Sequence, residues 1–173
     1  MEFNSCVRCF GRLAILCVCL LAFVDTAKSE NWPQWRGPRC DGISHESGIA
    51  TRWSATENVA WRIPLPGPAG ASPVVWNDQV FVTTADGDDL KLLCISTEGE
   101  KKWERTVGSG NETARGDEGN SASNTPATDG KYVVTVMSTG HYACYDMQGQ
   151  RRWGGKLQDR FGEIHIQFGY TAS

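Results

Sequence analysis

The chain has 173 residues, with 17 Lys and Arg against 20 Asp and Glu and a formal net charge of −3 at pH 7. This mildly acidic balance, without a basic stripe, argues against nucleic acid as a partner. Beyond residue 29 only three cysteines remain, Cys40, Cys94 and Cys144, at least 50 residues apart. Neither a zinc site nor a disulfide framework is indicated by that spacing.

Residues 1–29 have the pattern of a secretory signal peptide. Arg8 and Arg12 precede the apolar run "LAILCVCLLAFV", and small residues at Ala27 and Ser29 suit a cleavage site before Glu30. As a helix this run spans only about 18 Å, short of the roughly 30 Å hydrocarbon core. We therefore expect an exported protein without a transmembrane span after cleavage; a buried N-terminal helix is the alternative.

Residues 30–68 form an N-terminal segment in which loop-like sequence dominates. The stretch "NWPQWRGPRCDGIS" is rich in Pro, Gly and unpatterned polar residues. It is followed by "ENVAWRIPLPG", which reads as a single strand around Trp61. No partner strand precedes it, so we expect an orphan strand of the kind that closes a ring by completing another unit.

A repeat organises the sequence beyond this segment. The stretch "CISTEGEKKW", ending at Trp103, aligns without gaps with "CYDMQGQRRW", ending at Trp153. Upstream, "SPVVWNDQVFVTT" aligns with "TPATDGKYVVTVM". The period is 50 residues by the tryptophans and 53 by the prolines. Two matches at nearly the same offset indicate a repeated structural unit.

Each unit divides into four short strands separated by turn dipeptides such as Asn77-Asp78 and Asp129-Gly130. The strands are rich in Val, Tyr, Phe and Thr, which suit a pleated, half-buried surface. Four antiparallel strands within 40–50 residues are typical of a β-propeller blade. The predicted strands cover residues 72–76, 79–84, 91–95 and 100–106 in the first unit and 125–128, 132–137, 141–146 and 150–156 in the second.

The predicted fold class is all-β, a β-propeller of four-stranded antiparallel blades. Residues 71–108 form the first blade and residues 124–158 the second. A β-sandwich or an open meander is the alternative, but neither has a reason to repeat its last strand. Two blades cannot close a ring, so the full protein is expected to have about seven or eight.

Two further segments complete the predicted organisation. Residues 109–123 are an inter-blade loop, long enough to suggest either disorder or a binding role. Residues 159–173 end in "FGYTAS", in which Ala172 and Ser173 follow Ala71 and Ser72 by 101 residues, or two periods. We therefore expect this stretch to be the start of a third blade, cut at its beginning.

The Gly-x-x-x-Trp endings resemble the tryptophan-docking repeat of the pyrroloquinoline-quinone (PQQ) β-propeller superfamily. This superfamily includes the quinoprotein alcohol dehydrogenases and the propeller subunit of the bacterial outer-membrane barrel-assembly machinery. The resemblance implies that the tryptophan packs between adjacent blades and that the glycine makes the turn before the last strand. Ser96 departs from the pattern where the second unit has an aspartate. The matching positions are Trp61, Gly99, Trp103, Asp146, Gly149 and Trp153.

The resemblance does not by itself imply a cofactor. Quinoprotein dehydrogenases in this superfamily use a vicinal cysteine pair and a bound Ca²⁺, whereas no two cysteines are adjacent here. The loop "ADGDDL" lacks the EF-hand register, and "GQRRWGGK" lacks the residues of a phosphate loop. His45, His141 and His165 have no partner at triad spacing. We predict no catalytic, cofactor-binding or metal-binding residue.

These features predict a non-catalytic exported propeller that acts as an interaction scaffold in the periplasm or cell envelope of a bacterium. Its partners would be other envelope proteins, docked on the loop-lined face of the propeller. The alternative is an N-terminal fragment of a PQQ-dependent quinoprotein dehydrogenase, which would require PQQ with calcium.

Overall fold

The computed structural model describes residues 29–112 and 119–163. The predicted signal peptide, apart from Ser29, lies outside the described residues. So do the middle of the predicted inter-blade loop and residues 164–173 of the predicted third blade.

Two four-stranded antiparallel sheets make up the fold, each in simple sequential order. Neighbouring strands pair through short connections, as consecutive antiparallel strands do. The prediction of four-stranded antiparallel blades is therefore confirmed. The first sheet, or first blade, comprises β1 (Val74–Trp76), β2 (Gln79–Asp86), β3 (Asp89–Ser96) and β4 (Lys101–Ser109), and the second comprises β5 (Ala127–Thr128), β6 (Tyr132–Val136), β7 (His141–Asp146) and β8 (Arg151–Lys156).

The predicted turn dipeptides connect these strands. Asn77 adopts a left-handed conformation with φ of 52°, which asparagine tolerates better than most residues. In the second sheet the Asp129 carboxylate Oδ1 accepts hydrogen bonds from the backbone N–H groups of Lys131 and Tyr132, at 2.9 and 2.7 Å. The Asp129 side chain thus satisfies backbone N–H groups at its turn.

The main core lies between the two sheets. Along β3, alternate side chains point to opposite faces. Leu92 and Cys94 face the second sheet and join Phe81 and Tyr145 in one buried cluster. Leu93 and Ile95 face the other way and are covered by Ile63 and Leu65 of the N-terminal segment, together with Val80 and Val82 of the same sheet. Both faces of the first blade are therefore buried.

The N-terminal segment also binds the edges of both sheets. Trp32 forms a two-way backbone bridge with Val75 of β1, with N···O distances of 2.9 and 2.8 Å. The carbonyl of Pro33 accepts a hydrogen bond from the backbone N–H of Thr128 at 2.9 Å. These bonds cover the free edges of β1 and β5, which would otherwise expose unpaired backbone groups.

Residues 57–67 form no paired strand in the described structure. The orphan strand expected there has no partner strand in this chain, so it stays a prediction. A short helix, α1 (Leu157–Phe161), follows β8 where the second blade is expected to give way to a third. In the described parts of the chain, no helix is long and apolar enough to cross a membrane.

Candidate functional site

The turn between β7 and β8 is built around Asp146. Its carboxylate Oδ1 accepts hydrogen bonds from the backbone N–H groups of Gln148 and Gln150, at 3.0 and 2.8 Å. Its Oδ2 accepts a hydrogen bond from Arg152 Nη2 at 2.6 Å. The Gln150 N–H, and after it the Arg152 guanidinium, lower the pKa of Asp146 below its ordinary value. Asp146 thus holds the turn in which Gly149 lies.

Ser96 takes the same role in the first blade. Its hydroxyl Oγ accepts hydrogen bonds from the backbone N–H groups of Glu98 and Glu100, both at 3.2 Å. The apparent departure from the repeat pattern is therefore a substitution of one turn-capping side chain by another. The sequence signal was available, since Ser96 and Asp146 occupy equivalent positions and serine caps turns much as aspartate does.

Trp103 packs onto the turn that Asp146 holds. Its indole Nε1–H donates to the carbonyl of Met147 at 3.1 Å, and its side chain is only 9% exposed. Gly149 has φ of +77°, and a Cβ at this position would lie 2.7 Å from Trp103 Cδ2. Because such a contact is closer than real Cβ atoms allow, only glycine lets the indole lie on this turn.

Arg105 completes this contact from the side of the first blade. Its guanidinium lies 5.7 Å from the centroid of the Trp103 ring, and its Nε donates to the carbonyl of Gly149 at 2.7 Å. Phe81 and Tyr145 lie beside the indole, with ring centroids 5.8 and 6.0 Å away. The blade interface is therefore centred on one tryptophan supported by residues of both sheets.

Trp61 makes the same contact with the preceding turn. Its Nε1–H donates to the carbonyl of Thr97 at 2.6 Å. A Cβ on Gly99, which has φ of +88°, would lie 2.7 Å from Trp61 Cγ. Trp61 is 37% exposed, because the N-terminal segment covers less of it than a full sheet covers Trp103. The segment thus lies on the first blade as the first blade lies on the second.

Trp153 is the third tryptophan of the series and is 52% exposed. It borders a cavity of about 350 Å³ on the face of the second sheet that points away from the first. The same position on the first sheet holds buried residues, namely Val74, Phe81, Cys94 and Trp103. We call the equivalent surface of the second sheet the open flank; it consists of Ala127, Val134, Cys144 and Trp153.

Comparison with known protein families matches residues 45–167 to the family described as outer membrane protein assembly factor BamB. The match covers well over half of the chain and includes both blades. The chain belongs to the BamB family. A search of curated proteins found no match.

In this BamB-family chain the two cysteines of the repeat are buried in separate sheets. Burial raises the pKa of Cys94 to about 12 and also raises the pKa of Cys144. A thiol that stays protonated is a poor nucleophile and a poor metal ligand. Across residues 29–112 and 119–163, no group of three or more His, Cys, Asp or Glu is placed to hold a metal ion.

The remaining candidates from the sequence are dispersed. Within "ADGDDL", Asp86 forms an ion pair with Lys91 at 2.6 Å. His45 is exposed in the N-terminal segment, His141 is half-buried at the start of β7, and His165 lies outside the described residues. Of these groups, Asp89 of "ADGDDL" and His141 line one cavity between the blades.

Asp146 provides a pH-dependent test of the turn. Because its folded-state pKa is lowered, the stability it contributes is complete above its unfolded-state pKa, near 3.8, and is lost as the pH falls through the lower folded value. We expect Asp146→Ala to be less stable than Asp146→Ser at pH 7, since serine can cap this turn as Ser96 does. Denaturant unfolding at pH 7 and pH 2.5 measures both effects. A gap between wild type and Asp146→Ala that does not narrow at pH 2.5 contradicts the assignment.

Proposed function

We propose that this chain is a non-catalytic propeller module that acts as an interaction scaffold in the cell envelope of a bacterium, in the assembly of outer membrane proteins. The match of residues 45–167 to a family described as an outer membrane protein assembly factor carries the proposal. The partners are other envelope proteins.

Exposed apolar side chains support an interaction role. Among the described residues, Trp35, Ile43, Ile49, Trp53 and Val59 are exposed within one short part of the N-terminal segment. Trp153 is exposed on the open flank. Large apolar side chains exposed in this number often mark surfaces that bind other proteins.

The proposed location follows from two independent observations. The first 29 residues have the charge and hydropathy pattern of a secretory signal peptide, and the family description refers to the outer membrane. We therefore place the working protein in the periplasm or at the periplasmic side of the envelope.

Site-specific photo-crosslinking in a bacterial host tests the proposal. A photoreactive amino acid is placed at Trp35, Trp53 or Trp153, and at Asp88 on the tip of the β2–β3 hairpin as an exposed polar control. We expect adducts with a component of outer membrane protein assembly from at least one tryptophan position and none from Asp88. Absence of adducts at all three tryptophan positions would contradict the proposed scaffold role.

The quinoprotein alternative has its own readout. Purified protein is incubated with PQQ and Ca²⁺ and assayed for dye-linked alcohol oxidation and for a change in the quinone spectrum. If the chain is a non-catalytic scaffold, we expect neither alcohol oxidation nor a change in the quinone spectrum. Oxidation that depends on both additions would show instead that the chain belongs to a dehydrogenase.

A further inference from the structure

A second cavity, of about 480 Å³, lies where the two blades diverge. One wall is formed by β4 around Gly108, and the other by His141 of β7 with Arg151, Gly155 and Lys156 of β8. We call this cavity the inter-blade cleft. It is separate from the open flank, which lies on the opposite face of the second sheet.

Glycines create the space and the packing in this cleft. A Cβ on Gly108 would overlap the imidazole ring of His141, so the ring lies directly on the β4 backbone. A Cβ on Gly154 would lie 2.6 Å from Arg151 Nη2, so the guanidinium lies across a position that has no side chain. An extra residue in β4, at Val107, interrupts the pairing with β3 beside the cleft. Such bulges are common next to binding sites.

The first blade shows what the same positions hold elsewhere in the chain. Strand registers equate Lys91 with His141, Lys101 with Arg151, and Glu104 with Gly154. The Glu104 carboxylate forms ion pairs with Lys91 at 2.8 Å and with Lys101 at 2.9 Å. The side chains of Lys91 and Glu104 are 13% and 22% exposed, so this pair is partly shielded from water. In the first blade, therefore, the Glu104 carboxylate pairs with both lysines, and Asp86 also pairs with Lys91 at 2.6 Å.

The second blade keeps one cation of this set as Arg151, has Lys156 where the first blade has Thr106, and lacks the Glu104 carboxylate. With Gly154 in place of Glu104, neither Arg151 nor Lys156 has an ion-pair partner in the described structure. His141 is held by a hydrogen bond of 2.8 Å between its Nδ1 and Thr139 Oγ1. Burial, and then the charge of Lys156, lower the pKa of His141 below its ordinary value, so the ring is mainly neutral at pH 7. Among the described residues, its Nε2 has no hydrogen-bond partner.

We propose that the inter-blade cleft binds the carboxylate of a small ligand in the place that the Glu104 carboxylate takes in the first blade. Arg151 forms the ion pair, and Lys156 and His141 lie within the same cleft. A guanidinium fork matches a carboxylate well. This small-molecule site goes beyond the proposed scaffold role and does not depend on it.

Two acidic residues define the ligand further. Asp89 and Asp159 also line the cleft, and neither forms an ion pair with any residue that the structure describes. They disfavour ligands that carry only negative charge and favour a ligand that also has an ammonium group. The chemical class is therefore a small amino acid with free amino and carboxyl groups.

Nuclear magnetic resonance titration of the full chain tests this assignment with three matched probes. L-alanine carries both charged groups, propionate only the carboxylate and ethylamine only the ammonium group. We expect saturable shifts of the His141 ring signal and of the Gly108 and Gly155 amides with L-alanine, and weaker or no saturation with the other two. Absence of saturation with L-alanine overturns the site, and equal affinity for propionate overturns the assignment to amino acids.

Variants of Arg151 provide the second arm. Arg151→Gln should weaken L-alanine binding by roughly tenfold or more, because it removes a charged hydrogen-bond donor, and Arg151→Lys should lie between this variant and wild type. Lys131→Gln removes one positive charge away from the cleft and should bind as wild type does. An Arg151→Gln protein that binds L-alanine with unchanged affinity contradicts the proposal.

Discussion

Replacing Trp103 by alanine should lower the free energy of unfolding by about 3–5 kcal/mol, the range found when a large buried aromatic side chain is removed. The indole is nearly fully buried between the sheets and lies close to Phe81 and Tyr145. Its Nε1–H bond to the carbonyl of Met147 is lost as well. Urea unfolding followed by circular dichroism measures the change.

Trp153→Ala is the matched control, since it removes the same side chain from the same position of the next repeat. Trp153 is half-exposed and lies on the open flank, so its loss should change the free energy of unfolding by no more than about 0.5 kcal/mol. Equal effects of the two substitutions would show that burial between blades is not what makes Trp103 important.

Gly149→Ala should cost about 2–4 kcal/mol of stability. Part of this is the strain of a non-glycine residue at φ of +77°. The remainder is the overlap between the new methyl group and the Trp103 indole, which would meet at 2.7 Å. The same unfolding measurement applies, and retention of wild-type stability would contradict the observed packing.

Gly87→Ala separates the two causes. Gly87 also has positive φ, at 58°, but a Cβ there would meet nothing within 4 Å. We expect this variant to show the backbone strain alone, roughly 1 kcal/mol. If Gly87→Ala costs as much as Gly149→Ala, contact with the indole contributes nothing.

The strands could be predicted from the sequence because their determinants are local. Turn dipeptides such as Asn77-Asp78 mark strand ends, and the continuous apolar run Leu92–Ile95 of β3 is typical of a strand buried on both faces. The repeat then supports each assignment twice. The short helix α1 was not predicted, because five residues give too little periodicity to detect.

The family resemblance implies that the tryptophans pack between blades, but their contact with the glycine of a neighbouring turn required the structure. The sequence shows that Trp103 and Gly149 occupy motif positions, but their contact joins different repeats and no local rule encodes it. Trp61 lies in a segment without strand pairing in the described structure and still contacts the turn of Gly99. Its place in the repeat motif therefore indicated this contact without any help from strand pairing.

The inter-blade cleft could not be predicted for a related reason. In the aligned repeats, Gly154 occupies the position that Glu104 has in the first repeat. The alignment alone gives this difference no functional meaning. Only the ion pairs of Glu104 with Lys91 and Lys101 show that this change leaves a cation without its partner. Ion pairs between residues on different strands depend on distances that the spacing of residues in the sequence does not give.

A double-mutant cycle of Trp103→Ala and Gly149→Ala tests most directly whether an indole docked on a glycine turn joins the blades. Once the indole is absent, alanine at position 149 meets no overlap, so its cost should fall to that of Gly87→Ala. The two substitutions should therefore couple by about 1–3 kcal/mol, as residues in direct contact do. Additive losses, with no coupling beyond about 0.5 kcal/mol, would contradict the docking that defines this fold and its open flank.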